Sequence, residues 1–150
     1  MAMTRQAPDF TLPSTDGEIT LSALGQKAVL YFYPRDNTPG CTLEAQEFQR
    51  LAGAFAEAGT RIIGISKDDM ASHEKFCTRH GLAITLASDT AEVAEAYGVW
   101  VEKNMYGRKS MGIERATFLI DASGAIVREW RKVKVNGHAE EVLEAARALG

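Results

Sequence analysis

Two short apolar runs that enclose an amphipathic helix limit most strongly what this chain can fold into. Residues 27–33 (KAVLYFY) and 61–66 (RIIGIS) are nearly continuously apolar, as is typical of strands buried on both faces. The segment 41–59 between them carries apolar side chains at the i, i+3, i+4 and i+7 positions of one helical face, namely Phe48, Leu51, Ala52 and Phe55. Gly59 ends this helix. The strand–helix–strand order predicts a right-handed crossover between parallel strands.

The rest of the chain adds further strands and helices to this parallel unit. We expect a hairpin at 9–21, helices at 68–80, 90–98 and 139–149, extended segments at 83–88, 116–121 and 125–132, and a polar loop around 103–112. The last two extended segments pair across Ser123-Gly124 as an antiparallel hairpin. A mixed central sheet flanked by helices accommodates this order, as in the α/β thioredoxin fold with an N-terminal β-hairpin extension. The length of 150 residues predicts a single domain spanning 1–150.

Charge and apolar patterning exclude several classes of protein. The formal net charge of −3 provides no general attraction for nucleic acid. No apolar run approaches the roughly 18 residues of a membrane span. The N-terminal residues MAMTRQAPDF have neither the apolar core of a signal peptide nor the composition of a transit peptide, so a cytoplasmic protein is expected.

The cysteines and histidines do not have the spacing of a disulfide framework or a metal site. The two cysteines are 36 positions apart and form no CxxC motif. The histidines, His73, His80 and His138, do not combine with them in the pattern of a zinc site. His73 and His80 fall on one face of the predicted helix 68–80, where we expect ordinary, partly exposed side chains. No metal and no organic cofactor is predicted.

Cys41 occupies a distinctive place between the first apolar strand and the helix that follows. It comes directly after Pro39-Gly40, within the first turn of the predicted helix. Unpaired backbone N–H groups and the positive end of the helix dipole favour a thiolate over a thiol there. Thr38 can turn its hydroxyl toward that thiolate or toward a bound oxygen atom, and the prolines at 34 and 39 stiffen the turn. Alternatively, Cys41 is a small buried residue and Thr38 only forms the turn.

The pattern Pro34-x-x-x-Thr38-x-x-Cys41 resembles that of the peroxiredoxins. The longer stretches YFYPRDNTPGCTLEAQEF and MGIERATFLID are similar to the bacterioferritin-comigratory (Q-type) group of these thiol peroxidases. The similarity extends from about Pro8 to near the C-terminus and includes FTLPSTDGE, IIGISKDD, SHEKF and YGVW. It implies a thioredoxin fold with an N-terminal hairpin, hydrogen peroxide and organic hydroperoxides as substrates, catalysis without a cofactor, and a monomer.

The resemblance also implies roles for individual residues. Cys41 is the peroxidatic cysteine, whose thiolate attacks the O–O bond of the peroxide and becomes a sulfenic acid. Thr38 contacts the thiolate and the peroxide, and Arg115 orients the substrate. Glu44 holds Arg115, or else it is a carboxylate that interacts only with the helix dipole. The backbone N–H groups of Gly40 and Cys41, together with Thr38 and Arg115, are expected to stabilise negative charge on the leaving oxygen.

The position of the second thiol departs from that in many relatives. Gln46 stands where they carry a cysteine five residues after the first, so Cys77 in helix 68–80 is expected to resolve the sulfenic acid as an intramolecular disulfide. Thioredoxin or a similar dithiol protein is the implied reductant. An inert, buried Cys77 would instead leave a one-Cys peroxidase. A peroxide sensor or stress-related binding protein, which uses the same thiol as a switch, is a further alternative.

Weaker signals concern the surroundings of the thiol. The expected pocket residues are Tyr33, Pro34 and Gly40. Trp100 and Trp130 either line the pocket or serve in packing. The basic segment 102–109 borders the active site, helps to dock the reductant, or is a solvated loop.

Overall fold

A central sheet and its flanking helices account for most of the chain. The computed structural model describes residues 5–149 (for residue 105, the backbone alone). The strands are β1 (Arg5–Gln6), β2 (Thr11–Ser14), β3 (Gly17–Thr20), β4 (Lys27–Phe32), β5 (Thr60–Ser66), β6 (Thr85–Ser88), β7 (Trp100–Met105), β8 (Arg108–Ile113), β9 (Ala116–Ile120) and β10 (Ala125–Trp130). The helices are α1 (Pro39–Arg50), α2 (Ala52–Glu57), α3 (Met70–His80), α4 (Val93–Ala96) and α5 (His138–Ala148), and a 3₁₀ turn covers Leu21–Ala23.

Within the described residues, eight strands form one mixed sheet in the order β1-β10-β9-β4-β5-β6-β2-β3. The neighbours β4, β5 and β6 are parallel, as the strand–helix–strand pattern predicts. The other neighbours in the sheet are antiparallel, including the hairpin of β2 and β3. This arrangement confirms the predicted thioredoxin fold with an N-terminal hairpin.

The helices of two consecutive crossovers lie on the same face of the sheet. Because β4, β5 and β6 follow one another in space as they do in sequence, right-handed crossovers place α1, α2 and α3 on one side. Alternate residues of β4 show the division between the two faces. Val29 and Tyr31 pack in the layer with these helices and α5, whereas Leu30 and Phe32 pack in the layer with α4 and the N-terminal hairpin. Cys41 belongs to the first of these layers.

The predicted helix 41–59 is divided at Leu51 into α1 and α2, so the expectation of one continuous helix was wrong. Leu51 has φ −98° and ψ 4°, which are not helical values. The break keeps both aromatic side chains of the apolar stripe against the sheet. The ring centroids of Phe48 and Phe55 are 5.9 Å apart, and both residues are buried.

Helix α3 begins and ends close to where its sequence signals predict. Asp69 Oδ1 accepts a hydrogen bond from the Ser72 N–H at 2.8 Å, which caps the helix at its N-terminus. Gly81 ends the helix in the left-handed conformation, with φ 62°, and a glycine adopts this conformation at little steric cost.

The predicted polar loop at 103–112 is instead a β-hairpin formed by β7 and β8. The two strands pair antiparallel along their whole length. Tyr106 and Gly107 form the turn, with φ values of 55° and 77°. Two-residue hairpin turns favour positive φ at both positions, usually with Asn-Gly or Asp-Gly. The prediction failed because tyrosine seldom adopts a positive φ, so the usual turn signal is missing from the sequence.

The helices are short and largely amphipathic. The longest, α1, has 12 residues, whereas a bilayer-spanning helix needs about 20. Between residues 5 and 149 no helix has both the length and the apolar character needed to cross a membrane.

Candidate active site

Cys41 lies at the start of α1, beyond the end of β4. It is in the first turn of the helix, and only 1% of its surface is exposed. The Thr42 N–H donates to the Thr38 carbonyl at 2.9 Å, and this is the first helical hydrogen bond of α1. The N–H groups of Gly40 and Cys41 precede it, so they have no partner within the helix. These N–H groups are donors that an anionic or oxygen-bearing ligand at the helix start can use.

Arg115 connects Cys41 with Glu44. It directly precedes β9, whose first residue is paired with the last residue of β4, so its side chain starts beside the loop that leads to Cys41. The guanidinium donates from Nη2 to Cys41 Sγ at 3.2 Å and from Nη1 to Glu44 Oε1 at 2.6 Å. The fold therefore brings together three of the predicted site residues, although Arg115 is 74 positions from Cys41.

Glu44 is a buried carboxyl group whose proton affinity is increased. Burial raises its pKa to about 7, although Arg115 acts in the opposite direction. Its Oε2 atom has no hydrogen-bond partner among residues 5–149, whereas Oε1 accepts from Arg115. A proton can therefore bind to Oε2 while the contact with Arg115 is kept. Burial acts to lower the pKa of Arg115, but Glu44 and Cys41 together raise it by more, so the guanidinium stays charged.

Arg115 passes close to the backbone of Gly40. A Cβ atom placed on Gly40 would lie 3.2 Å from Arg115 Nη2, which is closer than ordinary van der Waals contact. The same Nη2 atom donates to Cys41 Sγ. A side chain at position 40 would therefore push the guanidinium away from the thiol, which is a steric reason for the glycine of the predicted motif.

The hydroxyl of Thr38 does not have the partner that the sequence suggested. It donates to the Arg35 carbonyl at 3.0 Å, and the described residues include no hydrogen bond from it to Cys41. Thr38 precedes α1 in an extended conformation (φ −84°, ψ 151°), and its side chain caps no helical N–H. The Arg35 carbonyl lies three residues earlier in the same loop. Contact with Cys41 therefore needs a rotation of the Thr38 side chain.

Tyr33 points into the protein core, while Pro34 is half-buried at the start of the loop. The Tyr33 ring lies in the same apolar layer as Cys41. Its hydroxyl donates to Asp36 Oδ1 at 2.6 Å. Of the three expected pocket residues, Tyr33 thus contributes to the layer beneath the thiol, and its hydroxyl is bound elsewhere.

Cys77 lies in the last turn of α3, and neither cysteine is in a disulfide. Cys41 is buried, whereas Cys77 is half-buried. Burial raises the pKa of Cys77, and the carboxylates of Asp36 and Glu74 add to the effect. This thiol is therefore protonated at neutral pH in the present conformation. Both cysteines border the same apolar layer between the sheet and its helices.

Comparisons with known proteins identify the family of this chain. Residues 3–129 match the model of the AhpC/TSA family. The chain belongs to the AhpC/TSA family. It is a peroxiredoxin of the bacterioferritin-comigratory (Q-type) group. It is 49% identical to a putative peroxiredoxin Bcp of Coxiella burnetii, over 93% of this chain and 94% of the relative. It is 46% identical to peroxiredoxin Bcp of Bacillus subtilis, over 97% of this chain and 94% of the relative.

Solved structures of similar peroxiredoxins have the same fold. Peroxiredoxin Q of Xanthomonas campestris matches with a TM-score of 0.87 at 47% identity, over 93% of this chain and 90% of that chain. A structure that concerns alkyl peroxide reduction by the bacterioferritin comigratory protein of the same organism has a TM-score of 0.88 at 45% identity, over 93% and 91%. As a peroxiredoxin, the protein is an enzyme, a thiol-dependent peroxidase.

This peroxiredoxin also contains a buried polar group centred on His73. His73 is completely buried, so the expectation of partial exposure was wrong. Its Nδ1 lies 2.8 Å from Asp36 Oδ2, and its Nε2 lies 3.0 Å from the Ala87 carbonyl. His80 is half-buried, as expected. The sequence contained a signal for this buried polar group, because Asp36 and Asp68 both follow shortly after parallel strands. Such strands end at the same edge of the sheet, so polar side chains that follow them are expected to meet.

The β7–β8 hairpin of the peroxiredoxin carries Lys103, whose charge interacts with that of Arg115. A Cβ atom on Gly112 would lie 3.2 Å from Lys103 Cδ, so the lysine stem lies across this glycine. Burial lowers the pKa of Lys103, and the charge of Arg115 lowers it further. The lysine therefore lies within electrostatic range of the site. Trp100 and Trp130 pack against the two core layers, which favours the packing alternative for both.

Proposed function

We propose that Cys41 is the peroxidatic cysteine of this peroxiredoxin. The observation that carries the proposal is the hydrogen bond of 3.2 Å from Arg115 Nη2 to Cys41 Sγ. The thiolate attacks one peroxide oxygen, so an S–O bond forms as the O–O bond breaks. Cys41 becomes a sulfenic acid, and the leaving oxygen takes up a proton and departs as water or an alcohol.

Stabilisation of the leaving oxygen comes from donors that are already oriented. The Arg115 guanidinium contacts the sulfur, and the N–H groups of Gly40 and Cys41 belong to the same first turn of α1. We expect these donors to stabilise the negative charge that moves from the thiolate to the leaving oxygen. Thr38 adds a hydroxyl after its side chain rotates from the Arg35 carbonyl. Glu44 is a positioning residue, because it holds the second guanidinium nitrogen at 2.6 Å and thereby fixes the first.

Cys77 resolves the sulfenic acid in this proposal. Its thiol attacks the Cys41 sulfur, so a disulfide forms and water leaves. A dithiol protein, thioredoxin or a similar one, then reduces the disulfide and is itself oxidised. A transient, catalytic disulfide of this kind suits the reducing cytoplasm, where we propose that the enzyme works as a monomer.

The test combines turnover with mapping of the oxidised product. With NADPH, thioredoxin reductase, thioredoxin and peroxide, the parent enzyme is expected to consume peroxide catalytically. Cys41→Ser is expected to abolish this activity. Cys77→Ser is expected to allow one oxidation of Cys41 and to lose thioredoxin-linked turnover. Peptide mass analysis without reduction, after one equivalent of peroxide, is expected to find residues 41 and 77 bridged.

Other outcomes would separate the alternatives. A stable sulfenic acid at Cys41, or intermolecular bridges alone, would exclude Cys77 as the resolving residue and favour a one-Cys mechanism. A single stoichiometric oxidation without turnover would favour a peroxide switch over an enzyme with thioredoxin as reductant.

A further inference from the structure

One buried group of side chains joins the two segments that carry the cysteines. Asp36 precedes Cys41 by five residues, and His73 precedes Cys77 by four. These two anchor residues contact each other, although 37 positions separate them. With their hydrogen-bonded neighbours they form what we term the anchor cluster, which consists of Tyr33, Asp36, Asp68, Ser72 and His73.

Asp36 is bonded to every other member of the anchor cluster. Its Oδ1 accepts from the Tyr33 hydroxyl at 2.6 Å. Its Oδ2 accepts from the Ser72 hydroxyl at 2.8 Å and lies 2.8 Å from His73 Nδ1. The backbone N–H of Asp36 donates to Asp68 Oδ2 at 2.8 Å. Burial acts to raise the pKa of Asp36, but the hydrogen bonds from His73 and Tyr33 lower it by more, so the carboxylate is ionised at neutral pH.

Both ring nitrogens of His73 lie within hydrogen-bond distance of oxygen atoms. Nε2 faces the Ala87 carbonyl, which can only accept, so this nitrogen carries a proton. Nδ1 faces the Asp36 carboxylate, also an acceptor. Opening this contact would leave the buried Asp36 carboxylate without one of its partners, which is strongly unfavourable. The start of α3 is therefore firmly tied to the loop that precedes α1.

Each cysteine lies in a regular helical turn, Cys41 at the start of α1 and Cys77 near the end of α3, and the two are not bridged. A disulfide needs Cα atoms within about 7 Å. We expect the bridge to form as the last turn of α3 unwinds.

We infer that Asp36 and His73 are positioning residues whose contact persists while Cys41 and Cys77 form their disulfide, an inference that rests on the proposed role of Cys77. An extended chain covers about 3.3–3.6 Å per residue, so Cys41 can reach roughly 17 Å from Asp36, and Cys77 roughly 14 Å from His73. These lengths allow the two sulfurs to meet without opening the anchor cluster. Both thiols are then confined to a small volume around the Asp36–His73 contact, which raises the effective concentration of each thiol for the other.

The far end of α3 is suited to unwinding. The last turn of α3 includes exposed side chains. Beyond the helix, Gln49 Oε1 accepts from the N–H groups of Ala83 and Ile84 at 2.7 and 3.0 Å. The segment 74–82 thus lies between two fixed points, the anchor cluster before it and the Gln49 contact after it. Cys77 is near the middle of this segment.

Hydrogen exchange followed by mass spectrometry tests the inference on the unmodified chain. The reduced protein is compared with the protein whose Cys41–Cys77 bridge has been confirmed by peptide mapping. We expect amides of 74–82 to exchange at least about tenfold faster in the disulfide form, while those of 33–36 and 66–73 change by less than about twofold. Faster exchange at 66–73 to the same extent as at 74–82 would overturn the inference and leave the resolving role of Cys77 intact. If no bridge between residues 41 and 77 forms, both proposals fail.

A matched pair of variants tests the same inference kinetically. His73→Gln removes the ring that contacts Asp36, and His80→Gln changes a histidine of the same helix outside the anchor cluster. Sulfenic acid is trapped with a dimedone reagent, and disulfide is measured in quenched samples. For His73→Gln we expect the ratio of disulfide formation to sulfenic acid formation to fall by about tenfold, and for His80→Gln we expect no change. An unchanged ratio in a folded His73→Gln would contradict the inference.

Discussion

Arg115 donates to Cys41 Sγ at 3.2 Å from one guanidinium nitrogen and to Glu44 Oε1 at 2.6 Å from the other. The two nitrogens belong to one rigid, planar group, so the position of the carboxylate determines where the donor meets the sulfur. A lysine ammonium group on its flexible stem could not be held by Glu44 so that it also donates to the sulfur in a fixed direction.

Arg115→Lys keeps the positive charge and removes the planar fork. Since one oriented donor to a developing oxyanion contributes about 10²–10³ in rate, we expect the second-order rate constant for peroxide to fall by about 10²-fold. Stopped-flow measurement of Cys41 oxidation provides this constant. Arg128→Lys, a change at an exposed arginine of β10, is the control and should match the parent. Equal rates for Arg115→Lys and the parent would show that charge alone suffices.

Gly40→Ala is expected to slow the same reaction by about tenfold, because the new methyl group would lie 3.2 Å from Arg115 Nη2 and displace it from the sulfur. Gly53→Ala in α2 is a suitable control, since a Cβ atom there has no neighbour within 4 Å. That control should keep full activity and become more stable by about 0.5–1 kcal/mol, as a helical glycine replaced by alanine usually does. Parent-like kinetics for Gly40→Ala would mean that Arg115 adjusts without loss.

Glu44 makes the stability of the protein depend on pH. Its pKa is raised by burial from 4.5 to about 7, so the folded protein holds this proton more tightly than the unfolded chain does. The resulting stabilisation is fully present below pH about 4.5 and is lost as the pH rises through about 7. Its size is on the order of 3 kcal/mol.

The variant Glu44→Gln isolates this effect because it has no proton to lose. The free energy of unfolding is measured in urea for parent and variant at pH about 4.5 and at pH about 8. At the higher pH we expect the parent to lose that amount of stability relative to the variant. Other titrating groups cancel in the difference between parent and variant. The same difference at both pH values would contradict the raised pKa.

Gly64→Ala should destabilise the sheet beneath the active site. A Cβ atom at this position would lie 2.6 Å from Cζ of Tyr31 and 2.8 Å from Cδ2 of Leu86, both in fully buried side chains. We expect a loss of about 2–3 kcal/mol in unfolding free energy, as overpacking of a core usually costs. Urea denaturation measures it, and unchanged stability would mean that the Tyr31 ring shifts freely.

Much of the fold follows from short-range patterns. The apolar runs of β4 and β5, the capped helix α3 and the closing helix α5 each depend on residues within a few positions of one another. Their periodicity and end signals therefore predict them well. The β7–β8 hairpin escaped prediction because its turn contains a tyrosine at positive φ, which local preference disfavours and the pairing of two strands imposes.

The features of the active site were likewise only partly predictable from the sequence. The sequence by itself determined the type and order of the reacting groups: a cysteine at a helix start after a stiff turn, and an arginine ahead of a late strand. Only the tertiary structure decided that Arg115 reaches Cys41 and that His73 is a buried partner of Asp36. The physical reason is distance along the chain. Contacts across 37 or 74 positions depend on how strands are ordered and how side chains fill the space between layers, which no local pattern specifies.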